Sequence, residues 1–303
     1  MHHISIVIVN YNSSSLTTAC LKSLEKVVIK GADFEVIVVD NGSRDEYQAP
    51  KLLQNKVVVL RSESNQGFTG GNNIGIHHAI ERSNADFVLL LNNDTNVTPT
   101  FLQSLYDFLI ERDQFGMVCP KIYFAKGREY HSQSYLPEQT GKVLWFAGGS
   151  IDWQHLTAFH RGVDEVDRKQ FLPQNESEFC TGCCVLIKRE VLEKIGFLDT
   201  DYFLYFEDVD LSVKAKLFGY KIGYCDTDHI WHENAGSSNG PGSPLHTYYQ
   251  TRNRLQFFWK YGNWQVKMTA GRLISRYLRS NNSTERTAAL HFLFGQKGKQ
   301  PIV

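Results

Sequence analysis

The sequence predicts an α/β protein with a doubly wound, mostly parallel sheet, an irregular middle region and a C-terminal helical segment. Three observations carry this expectation. Short β-branched or Leu-rich runs at residues 4–9, 34–40, 57–60 and 87–91 alternate with helical stretches. That is the pattern of strands covered on both faces and joined by right-handed crossovers. The runs 4–9 and 87–91 both break off into polar clusters, Asn10-Tyr11-Asn12 and Asn92-Asn93-Asp94-Thr95, as open sheets do at the carboxyl rim where they bind ligands. From Leu245 onward the spacing is mainly helical and the composition turns basic and aromatic.

Between the first four strands, helices are expected over residues 14–26, 46–53 and 69–82. Pro99 then suits the first turn of a helix over 99–111, followed by a strand over 117–123. Residues 125–179 lack sustained periodicity and are rich in Gly, Trp, Tyr and His; so long an irregular stretch holds binding loops or short hairpins. A strand at 183–187, helices at 189–195 and 208–218, and a strand at 221–225 complete the α/β part.

At 303 residues the chain has ample capacity for a buried core. Lys+Arg and Asp+Glu are both 32, so no net charge points to a nucleic-acid partner. No stretch approaches the roughly 18 apolar residues that span a bilayer. The apolar start at residues 4–9 is too short for a signal peptide and reads as a first strand. Six scattered cysteines fit reduced thiols and a cytoplasmic location. Cys180-Thr181-Gly182-Cys183 has C-x-x-C spacing without a second pair to complete a zinc site, so small buried residues beside a glycine are expected there.

Four constellations carry chemistry. Tyr11 and Asp40 end neighbouring parallel strands; an aromatic face and a carboxylate together suit a pyrimidine base, although Asp40-Asn41-Gly42 also reads as an Asx turn. The segment from Asn65 through Gly67, Asn72 and Gly75 is glycine-rich and enters a helix, which suits a phosphate as well as plain capping. Asp94, flanked by the amides of Asn92 and Asn93, offers hard oxygen ligands for Mg²⁺ or Mn²⁺ on a diphosphate. His232, just after a strand, is a second candidate there. Downstream, Glu207, Asp208 and Asp210 place three carboxylates in four positions. They repel one another unless a cation or a proton intervenes, or they simply favour a helix dipole.

Residues 5–12, 39–43, 65–75, 91–95 and 205–211, in this order, resemble family 2 glycosyltransferases of the GT-A fold, and residues 248–255 resemble a block of their rhamnosyltransferase-like branch. The resemblance implies inverting transfer of a sugar, rhamnose among the candidates, from a dTDP- or UDP-linked donor to a glycan or lipid-linked acceptor in bacterial surface polysaccharide synthesis. It divides the chain into a nucleotide-sugar-binding half (1–95), an acceptor-binding and catalytic half (96–244) and the helical segment (245–303). It implies that Asn10, Tyr11, Asp40, Asn65, Gly67, Asn72 and Asn93 hold the donor. Asp94 and His232 would hold the metal, and Asp208, with Glu207 beside it, would be the catalytic base. The sequence departs from the family pattern at Asn92, where the D-x-D motif carries its first acid, and near Asn72, where many UDP-sugar enzymes carry an arginine.

Trp145, Gly148 and Gly149 in the irregular middle suit an acceptor platform, since aromatic faces pack on sugar C–H surfaces; a core tryptophan fits equally well. The basic and aromatic segment after Leu245 is expected at the inner face of an anionic membrane or in a homodimer. Two other classes fit parts of this pattern. A sugar nucleotidyltransferase would carry a basic loop after the first strand, and Asn10–Ser14 has no basic residue. A non-catalytic glycan-binding protein would not need Asp40, Asp94 and Asp208 together.

Overall fold

A computed structural model describes residues 1–51, 56–172, 175–234 and 242–301. Its centre is a nine-stranded sheet ordered β3-β2-β1-β4-β10-β6-β11-β5, with β7 paired to β6. The strands are β1 (His2–Asn10), β2 (Ala32–Asp40), β3 (Val57–Arg61), β4 (Phe87–Leu91), β5 (Thr95–Val97), β6 (Phe115–Phe124), β7 (Leu144–Phe146), β10 (Cys184–Lys188) and β11 (Lys221–His232). β1 to β4, β6 and β11 run one way; β5, β7 and β10 run against them. The α/β sheet is therefore mostly parallel, as expected. Ile4, Ile6, Val7, Ile8, Val36 to Val39 and Val88 to Leu91 are almost wholly buried, because helices cover both faces and leave these strands no solvated side.

The helices are α1 (Ser14–Leu24), α2 (Gly67–Glu81), α3 (Phe101–Ile110), α4 (Arg189–Ile195), α5 (Glu207–Leu217), α6 (Pro244–Tyr261), α7 (Trp264–Leu278) and α8 (Ser283–Leu293). No helix forms over 46–51, and residues 52–55 lie outside the described part. There the Tyr47 N–H is captured by Oδ2 of Asp40 at 3.0 Å and the Tyr47 ring is buried. Pro99 lies just before α3, with Thr100 at its cap. The irregular middle contains a hairpin, β8 (Gly149–Asp152) with β9 (Thr157–His160).

The strand ending in His232 was expected to stop at Cys225. It runs on through Asp226-Thr227-Asp228, where the register shifts at an irregularity and Asp228 accepts hydrogen bonds from the Thr98 and Thr100 hydroxyls at 2.8 and 2.7 Å. Polar residues that read as a strand end are here a bulge, and it carries His232 to the same rim as Asp94.

The C-terminal helices divide in two. α6 is core: Tyr248, Tyr249, Arg252, Asn253, Leu255, Phe257 and Phe258 are buried. Of the aromatic residues assigned to a surface, these tyrosines and phenylalanines and Tyr277 are therefore interior, while Trp259, Trp264 and Phe294 remain exposed. Among the described residues no helix is long and apolar enough to cross a membrane.

Candidate active site

The carboxyl ends of β1, β2 and β4 form one rim. Asn10 pairs in register with Asp40, so half-buried Tyr11 emerges beside the Asp40 turn as expected. Asp40 itself is 0% exposed. Its oxygens accept from Arg61 Nη1 at 2.5 Å, Tyr47 N–H at 3.0 Å, Ser43 N–H at 3.3 Å and Asn10 Nδ2 at 3.4 Å. Burial would raise its pKa, but the Ser43, Tyr47 and Asn10 donors outweigh it and hold the carboxyl below its ordinary value. Sequence reasoning missed Arg61. The signal was available: a lone arginine ends β3, in register with Asp40.

Asn10 and Asn93 brace this rim. The Thr17 hydroxyl donates to Asn10 Oδ1 at 2.7 Å, and Asn93 Nδ2 donates to Ser13 Oγ at 2.7 Å and Thr17 Oγ at 2.9 Å. In the glycine-rich segment, Asn65 Oδ1 caps the Gly67 N–H at 2.8 Å. Gly67 has φ +75°, and a side chain there would meet the Phe203 carbonyl at 2.4 Å. Asn72 turns back on its own helix, donating to the Phe68 carbonyl at 2.9 Å. The run is thus mostly the first turns of α2 rather than an open loop; Gly75 lets α2 lie against Val7 of β1.

Asp94 follows β4 and meets the end of β11, where its carbonyl accepts the Glu233 N–H at 2.8 Å. His232 Nε2 lies 3.1 Å from Asp94 Oδ1. That approach lacks hydrogen-bond alignment, and both ring nitrogens of His232 are buried without a hydrogen-bond partner. Buried polar atoms are rarely left so. Among the described residues no group of three or more His, Cys, Asp or Glu side chains converges on one point. The pair therefore fits a divalent cation shared with a bound ligand better than a closed protein cage.

The acidic cluster divides its three carboxylates among three environments. Asp210 is buried against a cation: Lys260 Nζ lies 2.8 Å from its Oδ1, which also accepts from Tyr261 OH at 2.9 Å and Tyr202 OH at 3.0 Å. Glu207 is buried with Oε2 unpartnered. Burial, then the neighbouring Asp208 charge, pushes its carboxyl well up, which favours the protonated form. Asp208 accepts the Gly182 N–H on Oδ2 at 2.9 Å and the Val209 N–H on Oδ1 at 2.8 Å. Burial raises its pKa, and those N–H groups oppose the rise. A carboxylate shifted upward and held by two N–H donors suits proton abstraction.

Asp94 and Asp208 both act on one residue. Cys183 has its thiol pushed well up by burial and by both carboxylates, and its carbonyl accepts the Asn92 N–H at 2.8 Å. The C-x-x-C segment thus bonds to Asp208 through Gly182 and to Asn92 through Cys183, and all six cysteines are buried free thiols.

Trp145 stands beside the Asp94–His232 pair. Its ring centroid is 4.4 Å from that of His232 and 4.4 Å from that of His160, edge-on to each. Burial pushes His160 down to about 4, leaving a neutral ring whose Nδ1 contacts the Trp145 carbonyl at 3.1 Å. Gly148 and Gly149, the other two platform candidates, are enclosed on their Cβ sides. Side chains there would meet Arg161 Nη2 at 1.8 Å and the Phe179 ring at 2.4 Å; protein fills the space.

The segment leading into α5 is strained. Phe203, Tyr205 and Phe206 have φ of +65°, +68° and +72°, and each such conformation costs a non-glycine residue about 1–2 kcal/mol. Strain of this kind persists where the surroundings over-determine it, characteristically at active sites.

The sequence profile of glycosyl transferase family 2 matches residues 5–196, and the chain belongs to that family. It is 27% identical over 252 residues to the low-salt glycan biosynthesis hexosyltransferase Agl10 of Haloferax volcanii, covering 83% of this chain and 74% of that protein. It is 25% identical over 230 residues to the N-acetylglucosaminyl-diphospho-decaprenol L-rhamnosyltransferase of Mycobacterium tuberculosis, covering 71% and 72%. The fold is similar to that of GalNAc-T7, solved with UDP, GalNAc and Mn²⁺, with a TM-score of 0.65 and 16% identity. The match covers 98% of this chain but 55% of that one.

Proposed function

We propose that this glycosyltransferase moves a sugar with inversion from a dTDP- or UDP-linked donor to a hydroxyl of a glycan or lipid-linked acceptor. The observation that carries the reading is Asp208: a half-buried carboxylate at the start of α5, raised in pKa and oriented by two backbone N–H groups, with Asp94 near enough for both charges to act on Cys183. The acceptor O–H gives its proton to Asp208 as its oxygen bonds to the anomeric carbon. The bond from that carbon to the diphosphate oxygen breaks, and its electron pair leaves with the nucleotide diphosphate. General-base assistance of this kind is worth roughly 10²–10⁴ in rate.

Asp94 and His232 would hold Mg²⁺ or Mn²⁺, which would neutralise charge on the departing diphosphate. The orphaned nitrogens of His232 support this, as does the Mn²⁺ in the GalNAc-T7 structure. Tyr11 and the Asn65–Gly67 turn would face the nucleotide, with Asn10, Asp40, Asn72 and Asn93 as the frame beneath. Trp145, on the far side of His232, would face the sugar or acceptor.

A lipid-linked acceptor has support in the outer surface of α7 and α8. Trp264, which opens α7, and Phe294, which follows α8, are 66% and 74% exposed, and a cavity where the end of α7 meets the start of α8 is lined by Arg272, Arg276, Arg279 and Glu285. Aromatic and cationic side chains together suit an anionic headgroup layer.

A donor screen scored by nucleotide diphosphate release, with the anomeric configuration of the product read by NMR, tests the reading. Release from a dTDP- or UDP-sugar with an inverted product is expected. A retained configuration, or no release from any nucleotide sugar, overturns it.

A further inference from the structure

We infer that Arg252 and Asn253 of α6 are positioning residues for the catalytic carboxylate, acting through the strained segment that delivers it. This rests on the assignment of Asp208 as the base.

The segment from Asp201 to Phe206 contains no glycine yet places Phe203, Tyr205 and Phe206 in the left-handed region immediately before α5. Carbonyls in such a run point in directions that no helix or strand ladder serves, so buried ones need other donors. α6 supplies them. Asn253 Nδ2 donates to the carbonyls of Tyr202 at 2.9 Å, Leu204 at 2.7 Å and Tyr205 at 2.9 Å. Arg252 Nη2 donates to the carbonyls of Asp201 at 3.1 Å and Tyr202 at 3.0 Å, and its Nε holds Asn253 Oδ1 at 2.9 Å. Both side chains are 0% exposed. A planar guanidinium beside a planar amide fixes a fan of acceptors that a flexible lysine would not.

α6 also takes the three left-handed rings one by one. Phe203 stacks on Tyr249 with centroids 5.1 Å apart, Tyr205 meets His246 edge-on at 5.3 Å, and Phe206 packs on Phe257 at 5.7 Å. Backbone and side chains of the segment are thus both templated by a single helix, and Asp208 follows two residues after its last strained position. Among the described residues no hydrogen bond or ring contact joins Arg252 or Asn253 to the rim where the donor would lie; their influence runs through the backbone they hold.

Asn253→Asp keeps the shape and the acceptor for Arg252 but turns the amide donor into an oxygen facing three carbonyls. In the full chain, this variant should lower kcat at least ten-fold while leaving donor KM within about three-fold. The acid limb of its kcat profile should also move, because Asp208 loses its fixed place against Gly182. The decisive comparison is a double variant: placed in Asp208→Asn, Asn253→Asp should add little further loss, since it acts through a group already removed. Arg252→Lys, which keeps charge, should show a milder form of the same pattern. Equal fractional losses in the wild-type and Asp208→Asn backgrounds, or a loss that follows only the folded fraction by circular dichroism, would overturn the inference. If Asp208→Asn alone remains active, the base assignment fails instead, whatever Asn253→Asp does.

Discussion

Gly182 donates its backbone N–H to Oδ2 of Asp208 at 2.9 Å, and its missing side chain leaves room for the Phe68 ring beside it. A Cβ on Gly182 would sit 2.8 Å from the tip of the Phe68 ring and 3.6 Å from Asp208 Cβ. The glycine of the C-x-x-C segment therefore both orients the carboxylate and meets the aromatic ring that follows the Gly67 turn. Gly182→Ala should keep the N–H but shift one neighbour by a few tenths of an ångström. A kcat loss on the order of ten-fold is expected, with donor affinity changed less. Steady-state kinetics check this; an unchanged kcat would show that Phe68 yields and Asp208 does not move.

Glu207 is read as a protonated neighbour, so Glu207→Gln should mimic it and keep turnover within about ten-fold of wild type. Stability gives an independent check. A carboxyl whose folded pKa lies above its ordinary value near 4.5 stabilises the fold fully at low pH and loses that contribution as pH rises through the folded pKa. The Tm of Glu207→Gln relative to wild type should therefore increase from mildly acidic to mildly alkaline buffer. A constant difference would mean Glu207 is ionised throughout.

Asp94→Ala and His232→Ala should each remove most of the enhancement that Mn²⁺ gives to UDP or dTDP binding. Calorimetric titration with and without the metal measures it. Equal enhancement in wild type and His232→Ala would take the histidine out of the site and leave its buried nitrogens unexplained.

Much of this was legible in the sequence because strands buried on both faces must be continuous apolar runs: β4 was expected over the residues it occupies, and the polar clusters ending β1 and β4 do mark the rim. Asp94, His232 and Asp208 were legible as types at strand and helix ends. What was hidden depends on distant partners. Lys260 neutralises Asp210 from α6, Arg61 reaches Asp40 from an edge strand, and the Asn253 amide serves carbonyls 48 to 51 residues away. The bulge at Asp226–Asp228 misled because polarity alone marks strand ends and bulges alike. Nor does sequence show that Arg161 and Phe179 fill the space beside Gly148 and Gly149.

Sedimentation with vesicles tests the α7–α8 surface. Binding to anionic vesicles is expected at low salt and should fade as ionic strength rises, and Trp264→Ser with Arg276→Glu should abolish it while leaving transfer to a soluble acceptor analogue intact. No binding at low salt excludes membrane contact; a dimer mass in solution that the same substitutions dissolve would assign the surface to self-association.

The most direct test of the base assignment is single-turnover transfer by Asp208→Asn under saturating donor and acceptor. The amide cannot take the acceptor's proton, so the rate should fall by roughly 10²–10⁴ while the fold and nucleotide-sugar affinity stay near wild type. A variant that folds, binds donor and retains more than about a tenth of the wild-type rate would contradict the assignment of Asp208 as the base.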